Sequence, residues 1–233
     1  MALHIGIVGC SAEGAALCYR TVCGEAPARM GPHRHPEVTL HTLPLADYAL
    51  CLESGDLQGV ADLMLRSADV LHGAGADFLI CPDNTIHDAF EFVAPRTPLP
   101  WLHIAEVVAG EAAARGYSRV GITGTRWLVN SGVYPDKLGD LDIACIKPGG
   151  EDRAGMNRII MDELVYGEFR PDSIRFFQSV VARLAEQGSE AVILGCTEIP
   201  LILGDHNSAL PTLDSTRLLA RAALDKALHA DDA

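Results

Sequence analysis

Short apolar runs alternate along this chain with longer stretches whose apolar positions recur at helical spacing. Residues 3–9, 37–42, 76–81, 119–123, 143–146 and 191–194 have the length and residue types of buried strands. Residues 15–23, 54–73, 101–115, 151–164, 172–187 and 215–228 read as helices. In the second of these, Ala61, Leu63, Leu65, Ala68, Val70 and Leu71 supply much of the apolar face. Residues 24–36, rich in Pro, Gly and His, and residues 201–211 read as loops. Residues 95–100 hold Pro95, Pro98 and Pro100 and read as a crossover. Strands alternating with helices predict an α/β fold with parallel sheets.

The pattern repeats. In the first half a helix ends in Gly73-Ala74-Gly75, and Ala76-Asp77-Phe78-Leu79-Ile80 runs into Cys81-Pro82-Asp83-Asn84-Thr85. In the second half a helix ends in Gly188-Ser189-Glu190, and Ala191-Val192-Ile193-Leu194 runs into Gly195-Cys196-Thr197-Glu198. Ile5-Gly6-Ile7-Val8-Gly9-Cys10-Ser11 likewise matches Val120-Gly121-Ile122-Thr123-Gly124-Thr125-Arg126. Two pseudo-symmetric, Rossmann-like α/β domains facing one cleft would account for both pairs. The expected division is residues 1–98 with 211–233, completed by the last helix, and residues 99–210. Ligands of open α/β sheets bind at the carboxyl ends of strands, so the junctions at Cys10, Asp83, Thr125 and Cys196 are expected to look into that cleft. At the last junction the strand is expected to turn directly into a helix, with Thr197 as its cap and Glu198 in its first turn. A thiol in such a place sits beside free backbone N–H groups and the positive end of a helix dipole, which favour thiolate.

Composition narrows the functions. A net charge of −13 over 233 residues opposes nonspecific binding to nucleic acid or to an anionic membrane. The seven cysteines are odd in number and lack zinc-site spacing, so no metal is expected. With no leader-like or membrane-length apolar segment, the expectation is a cytoplasmic protein with free thiols. Only Gly6, Gly9 and Gly14 punctuate the first turn, which does not make the G-x-G-x-x-G of a dinucleotide site.

Asp83-Asn84-Thr85-Ile86-His87 and Gly195-Cys196-Thr197-Glu198 resemble the paired signatures of the aspartate/glutamate racemase family. The opening strand and turn, Gly124-Thr125-Arg126, Asn157-Arg158-Ile159-Ile160 and Leu213-Asp214-Ser215-Thr216 are similar to it too. The resemblance implies two pseudo-symmetric α/β domains and a homodimer. It also implies cofactor-independent racemisation of an acidic amino acid, aspartate or glutamate, by two cysteines on opposite faces of the substrate. Inverting an α-carbon needs a proton acceptor on one face and a donor on the other, and a thiol with an ordinary pKa of about 8.5 suits either task. This chain departs from the pattern at one position. Asp83 stands where the family has its first cysteine, with Cys81 two residues earlier.

The expected catalytic groups are therefore Cys196, the stronger, and Asp83 opposite it. Ser11, Asn84, Thr85, Thr125, Thr197 and Glu198 are the expected substrate contacts, with His87 read as a surface or capping histidine. A cation for a distal carboxylate is sought in residues 27–41 and 153–158. Two alternatives remain open at this point. One is a single-cysteine isomerase or decarboxylase of the same superfamily. The other is a catalytically weak binder of amino acids or dicarboxylates.

Overall fold

The computed structural model of the chain describes residues 2–229. Among them, eight strands form two parallel sheets of four. The chain divides into two units: one runs to Ile104 and resumes at Thr216, and the other is Ala105–Ser215.

In the first unit the strands are β1 (Ile5–Gly9), β2 (Val38–Thr42), β3 (Phe78–Ile80) and β4 (Trp101–Leu102), in the order β2-β1-β3-β4. The register pairs Ile7 with both Leu40 and Ile80. Its helices are α1 (Ala12–Glu25), α2 (Pro27–Met30), α3 (Leu45–Ser54), α4 (Leu57–Gly73) and α5 (Phe90–Val93). Every residue of β1 and β3 is buried, as central strands of a parallel sheet covered on both faces must be. Val8, Leu79, Val60, Met64, Leu71 and Tyr48 belong to one apolar cluster.

The second unit follows the same plan. Helix α6 (Ile104–Ala114) leads into β5 (Arg119–Thr123), α7 (Arg126–Asn130), α8 (Val133–Gly139) and β6 (Ala144–Ile146). Then come α9 (Gly150–Asp162), α10 (Pro171–Glu186), β7 (Ala191–Leu194) and β8 (Thr212–Asp214). The order is β6-β5-β7-β8, strand for strand that of the first unit. Phe177, Val181, Leu184, Val192 and Leu194 share its core with Met156 and Ile160. Helix α11 (Ser215–Leu228) returns to the first unit, where the Leu3 N–H donates to the Ala227 carbonyl (2.9 Å).

Several elements differ from the sequence reading. Trp101 and Leu102 are strand rather than helix. The prolines before them keep the chain extended, the Leu79 N–H donates to the Pro100 carbonyl (2.8 Å), and the helix begins only at Ile104. The helix read over 54–73 starts at Leu57, capped by the Asp56 carboxylate on the Gly59 N–H (2.9 Å). Gly55, at φ +72°, separates it from the unforeseen α3. Residues 24–36 hold the short helix α2, and residues 212–214, which follow the loop read over 201–211 and to which no element was assigned, pair with β7 as β8. Helices α7 and α8 also lie where no element was read. Among the described residues no helix is long and apolar enough to cross a membrane.

Candidate active site

In each sheet the strand order reverses between the two central strands, β1 and β3 in one, β5 and β7 in the other. Loops leaving the carboxyl ends of such a pair flank the crevice where open α/β sheets take their ligands. Both signatures fall there. Ser11 follows β1 while Asp83, Asn84 and Thr85 follow β3; Thr125 follows β5 while Cys196, Thr197 and Glu198 follow β7.

The β7 turn begins at Gly195, whose N–H donates to the Thr123 carbonyl (3.0 Å) at the end of β5. A Cβ here would lie 2.5 Å from the Thr123 oxygen and 2.6 Å from Leu128 Cδ2, so the close approach of the two strand ends demands glycine. Cys196 comes next, 9% exposed. Its Sγ–H donates to Glu198 Oε2 (2.9 Å), and the Thr197 hydroxyl donates to the same oxygen (2.9 Å). Glu198 is 2% exposed, so its carboxylate is buried with a thiol and a hydroxyl as donors.

This arrangement corrects the expected helix start. After Cys196 the chain makes only a one-turn 3-10 helix, Ile199–Leu201, with no side-chain cap. Thr197 is therefore not the cap of a helix, and the element that follows the thiol is a single 3-10 turn. What faces the thiol is the Glu198 carboxylate.

The β3 turn is built differently. Cys81 is fully buried in the unit's apolar cluster, and burial, with the Asp83 charge adding to it, holds its thiol well above the usual range. It is a packing residue. Asp83 is half-buried, and its Oδ1 accepts the Ile86 N–H (3.2 Å). Asn84 and Thr85, 1% and 8% exposed, open a 3-10 helix, Thr85–Ala89. His87 is buried rather than superficial, at 3% exposure, and its Nδ1–H donates to the Asp83 carbonyl (2.6 Å). A histidine four residues after Asp83 was visible in the sequence. Its burial depends on the aromatic neighbours Phe90 and His103, which come from other segments.

Ser11 and Thr125 serve as caps. The Ser11 hydroxyl accepts the Gly14 N–H (3.2 Å) at the start of α1, and the Thr125 hydroxyl accepts the Leu128 N–H (3.3 Å) at the start of α7. Asn157, which lay outside the predicted site, holds this second turn by accepting the Arg126 N–H (3.0 Å). Of the cations sought for a distal carboxylate, Arg29 pairs with Asp225 and Arg153 donates to Asn130 Oδ1 (2.8 Å). Residues 31–37 enter β2 at its amino end, the edge away from Ser11 and Asp83.

Known proteins share this fold. A crystal structure from Yersinia pestis, described as a candidate Asp/Glu racemase, is similar at a TM-score of 0.88 and 30% identity, covering 97% of this chain and 100% of the other. An aspartate racemase homologue from Pyrococcus horikoshii OT3 shares the fold at a TM-score of 0.81 and 24% identity, over 97% and 99% of the two chains. In sequence the chain is 23% identical over 195 residues to the broad specificity amino-acid racemase RacX of Bacillus subtilis (strain 168), covering 82% of this chain and 81% of that protein. The model of the Asp/Glu/hydantoin racemase family matches residues 5–223, and the chain belongs to that family.

Proposed function

We propose that this protein is an amino-acid racemase or epimerase in which Cys196 and Asp83 handle the α-proton of the substrate. The observation that carries the reading is the Cys196 Sγ–H on the buried Glu198 carboxylate (2.9 Å), at the carboxyl edge of a central strand. Glu198 takes the thiol proton, and the resulting thiolate removes the α-proton of the amino acid. The electron pair left on carbon delocalises into the substrate's own carboxyl group. Asp83, having taken a proton from solvent, then delivers it to the opposite face, and the substrate leaves as the other enantiomer. The proton left on Glu198 and the proton lost by Asp83 are restored by exchange with solvent or by turnover in reverse. This sequence uses no cofactor, because the chain's own thiol and carboxyls carry every proton. Aspartate and glutamate are the first substrates to expect from the family, and the broad specificity named for the Bacillus subtilis relative extends the panel to other amino acids.

The inequality of the two groups favours one further reading, in which only Cys196 exchanges protons and the enzyme is a single-base isomerase or decarboxylase. One experiment separates these readings. Each enantiomer of aspartate, glutamate and a panel of neutral amino acids is incubated in deuterated water, with α-proton loss followed by NMR and inversion by circular dichroism. Two-base racemisation gives exchange and inversion from both enantiomers, and Cys196→Ala loses both by about a thousandfold or more. Exchange without inversion supports the single-base reading, and binding without exchange supports a binder. Full exchange in Cys196→Ala would refute the assignment of Cys196.

A further inference from the structure

The turn that carries Asp83 is held through its backbone. The Asp83 carbonyl lies 2.6 Å from His87 Nδ1. A carbonyl oxygen only accepts, so Nδ1 must bear the proton of this bond. Aromatic rings pack against the imidazole. It stacks on Phe90 (centroids 5.9 Å apart, planes at 22°) and meets the edge of His103 (4.6 Å, 73°). Phe90 in turn meets His103 (4.9 Å) and Trp101 (5.7 Å) edge-on. A polar ring buried among aromatics costs desolvation, which a bond to a backbone carbonyl offsets. The Nδ1–H donor to the Asp83 carbonyl is a function that phenylalanine lacks.

The carbonyl belongs to the peptide joining Asp83 to Asn84. Fixing that peptide fixes the Asp83 Cα–Cβ direction and the N–H groups that follow it. The contrast with the other turn is chemical. After β7 the reactive side chain is itself gripped, Sγ to Glu198. After β3 the grip is on the main chain, and the Asp83 carboxylate takes an N–H of its own turn, that of Ile86.

We propose that His87 is a positioning residue for Asp83, its Nδ1–H setting the peptide from which the Asp83 carboxylate is presented to substrate. This rests on the reading that Asp83 acts on the α-carbon, and the test separates the two. In asparagine the side-chain nitrogen follows Cβ and Cγ as Nδ1 does in histidine, so His87→Asn keeps a donor near the same point. His87→Gln places its nitrogen one atom further, where Nε2 lies. His87→Phe fills the space with no donor.

Racemisation kinetics are measured for all three with the best substrate of the panel, alongside their thermal midpoints. His87→Phe and His87→Gln are expected to lose kcat by about 10- to 100-fold with KM changed by about threefold or less. His87→Asn should keep kcat within about threefold of the parent, even where its thermal midpoint falls as far as the others. A His87→Asn variant as impaired as His87→Phe, or a His87→Phe variant with full kcat, overturns the proposal. Two NMR measurements decide the matter should a variant fail to fold or the parent fail to exchange any amino acid. Long-range 1H–15N correlation on the parent should show Nδ1 protonated at His87, and a ring protonated at Nε2 alone overturns the proposal. The Asp83 carbonyl 13C shift should move in His87→Phe and stay near the parent value in His87→Asn. A parent without exchange refutes the racemase reading by itself, while these shifts still report whether His87 holds the Asp83 turn.

Discussion

Glu198 is read from the sequence as a substrate contact, and the structure turns it towards its own neighbours. One carboxylate oxygen accepts both the Cys196 thiol and the Thr197 hydroxyl, each at 2.9 Å, with the residue 2% exposed. A buried carboxylate so placed can receive the thiol proton when the thiolate is needed and return it afterwards. Replacing it by an amide keeps the size and one acceptor oxygen but removes the proton-accepting charge. Glu198→Gln is therefore expected to lower kcat by about a hundredfold, in the range of one general-base contribution, with KM changed far less. Iodoacetamide labelling gives an independent check, because thiolate is the species alkylated. Cys196, followed by peptide mass spectrometry, should label faster in Glu198→Gln than in the parent, because the neighbouring carboxylate charge opposes thiolate in the resting enzyme. Unchanged kcat together with unchanged labelling would return Glu198 to the role of a packing or substrate-contact residue.

The elements that bring these residues to the sheet edges were mostly legible. Residues 191–194, Ala-Val-Ile-Leu, form a strand buried throughout, and the last helix begins and ends where its pattern says, at Ser215 and Leu228. What escaped depends on partners outside the local pattern. Trp101–Leu102 is a two-residue strand that exists because β3 offers an edge at Leu79 and Ile80. Helix α3 leaves Leu45 and Leu50 exposed at its surface, so its apolar spacing marks no clean inner face. The burial of His87 follows from rings on other segments, and the short turn after Cys196 from the carboxylate that draws Cys196 and Thr197 together. Thr125, an expected substrate contact, has a structural role as well, its hydroxyl accepting the Leu128 N–H as the cap of α7 (3.3 Å). Thr125→Ala is expected to cost about 1 kcal/mol, and Thr125→Ser, which keeps the acceptor, only a fraction of that. For a chain of this size that is about 2–4 °C in thermal midpoint, measurable by circular dichroism. A Thr125→Ser variant as unstable as Thr125→Ala would show that the methyl group, not the cap, matters.

At the scale of the whole molecule the two sheets share one strand order, and the repeat visible in the sequence is this repeated topology. The same strand-end position in the two units carries different chemistry, a thiol with a carboxylate in one and a carboxylate with an imidazole on its backbone in the other. The cores share a different property, because both bury groups that ionise only in alkali. Burial, with the Asp83 charge adding to it, raises Cys81, and burial raises the Tyr48 hydroxyl with nearby thiols adding to it. In the other unit burial raises the Tyr134 hydroxyl and pushes Cys145 up to about 11, against a smaller lowering by Lys147. Each raised value means that the folded chain keeps a proton that the unfolded chain releases first. The stabilising effect is complete below the unfolded thiol pKa of about 8.5 and is lost as pH climbs towards the folded value. The unfolding free energy should therefore fall as pH rises, with each such group adding a slope of up to about 1.4 kcal/mol per pH unit inside its own window. For Cys145 that window runs from about 8.5 to about 11. Urea unfolding under reducing conditions at a series of pH values across it should show a shallower decline for Cys145→Ala than for the parent, by close to one proton. Identical slopes in the two proteins would mean that Cys145 ionises as readily folded as unfolded.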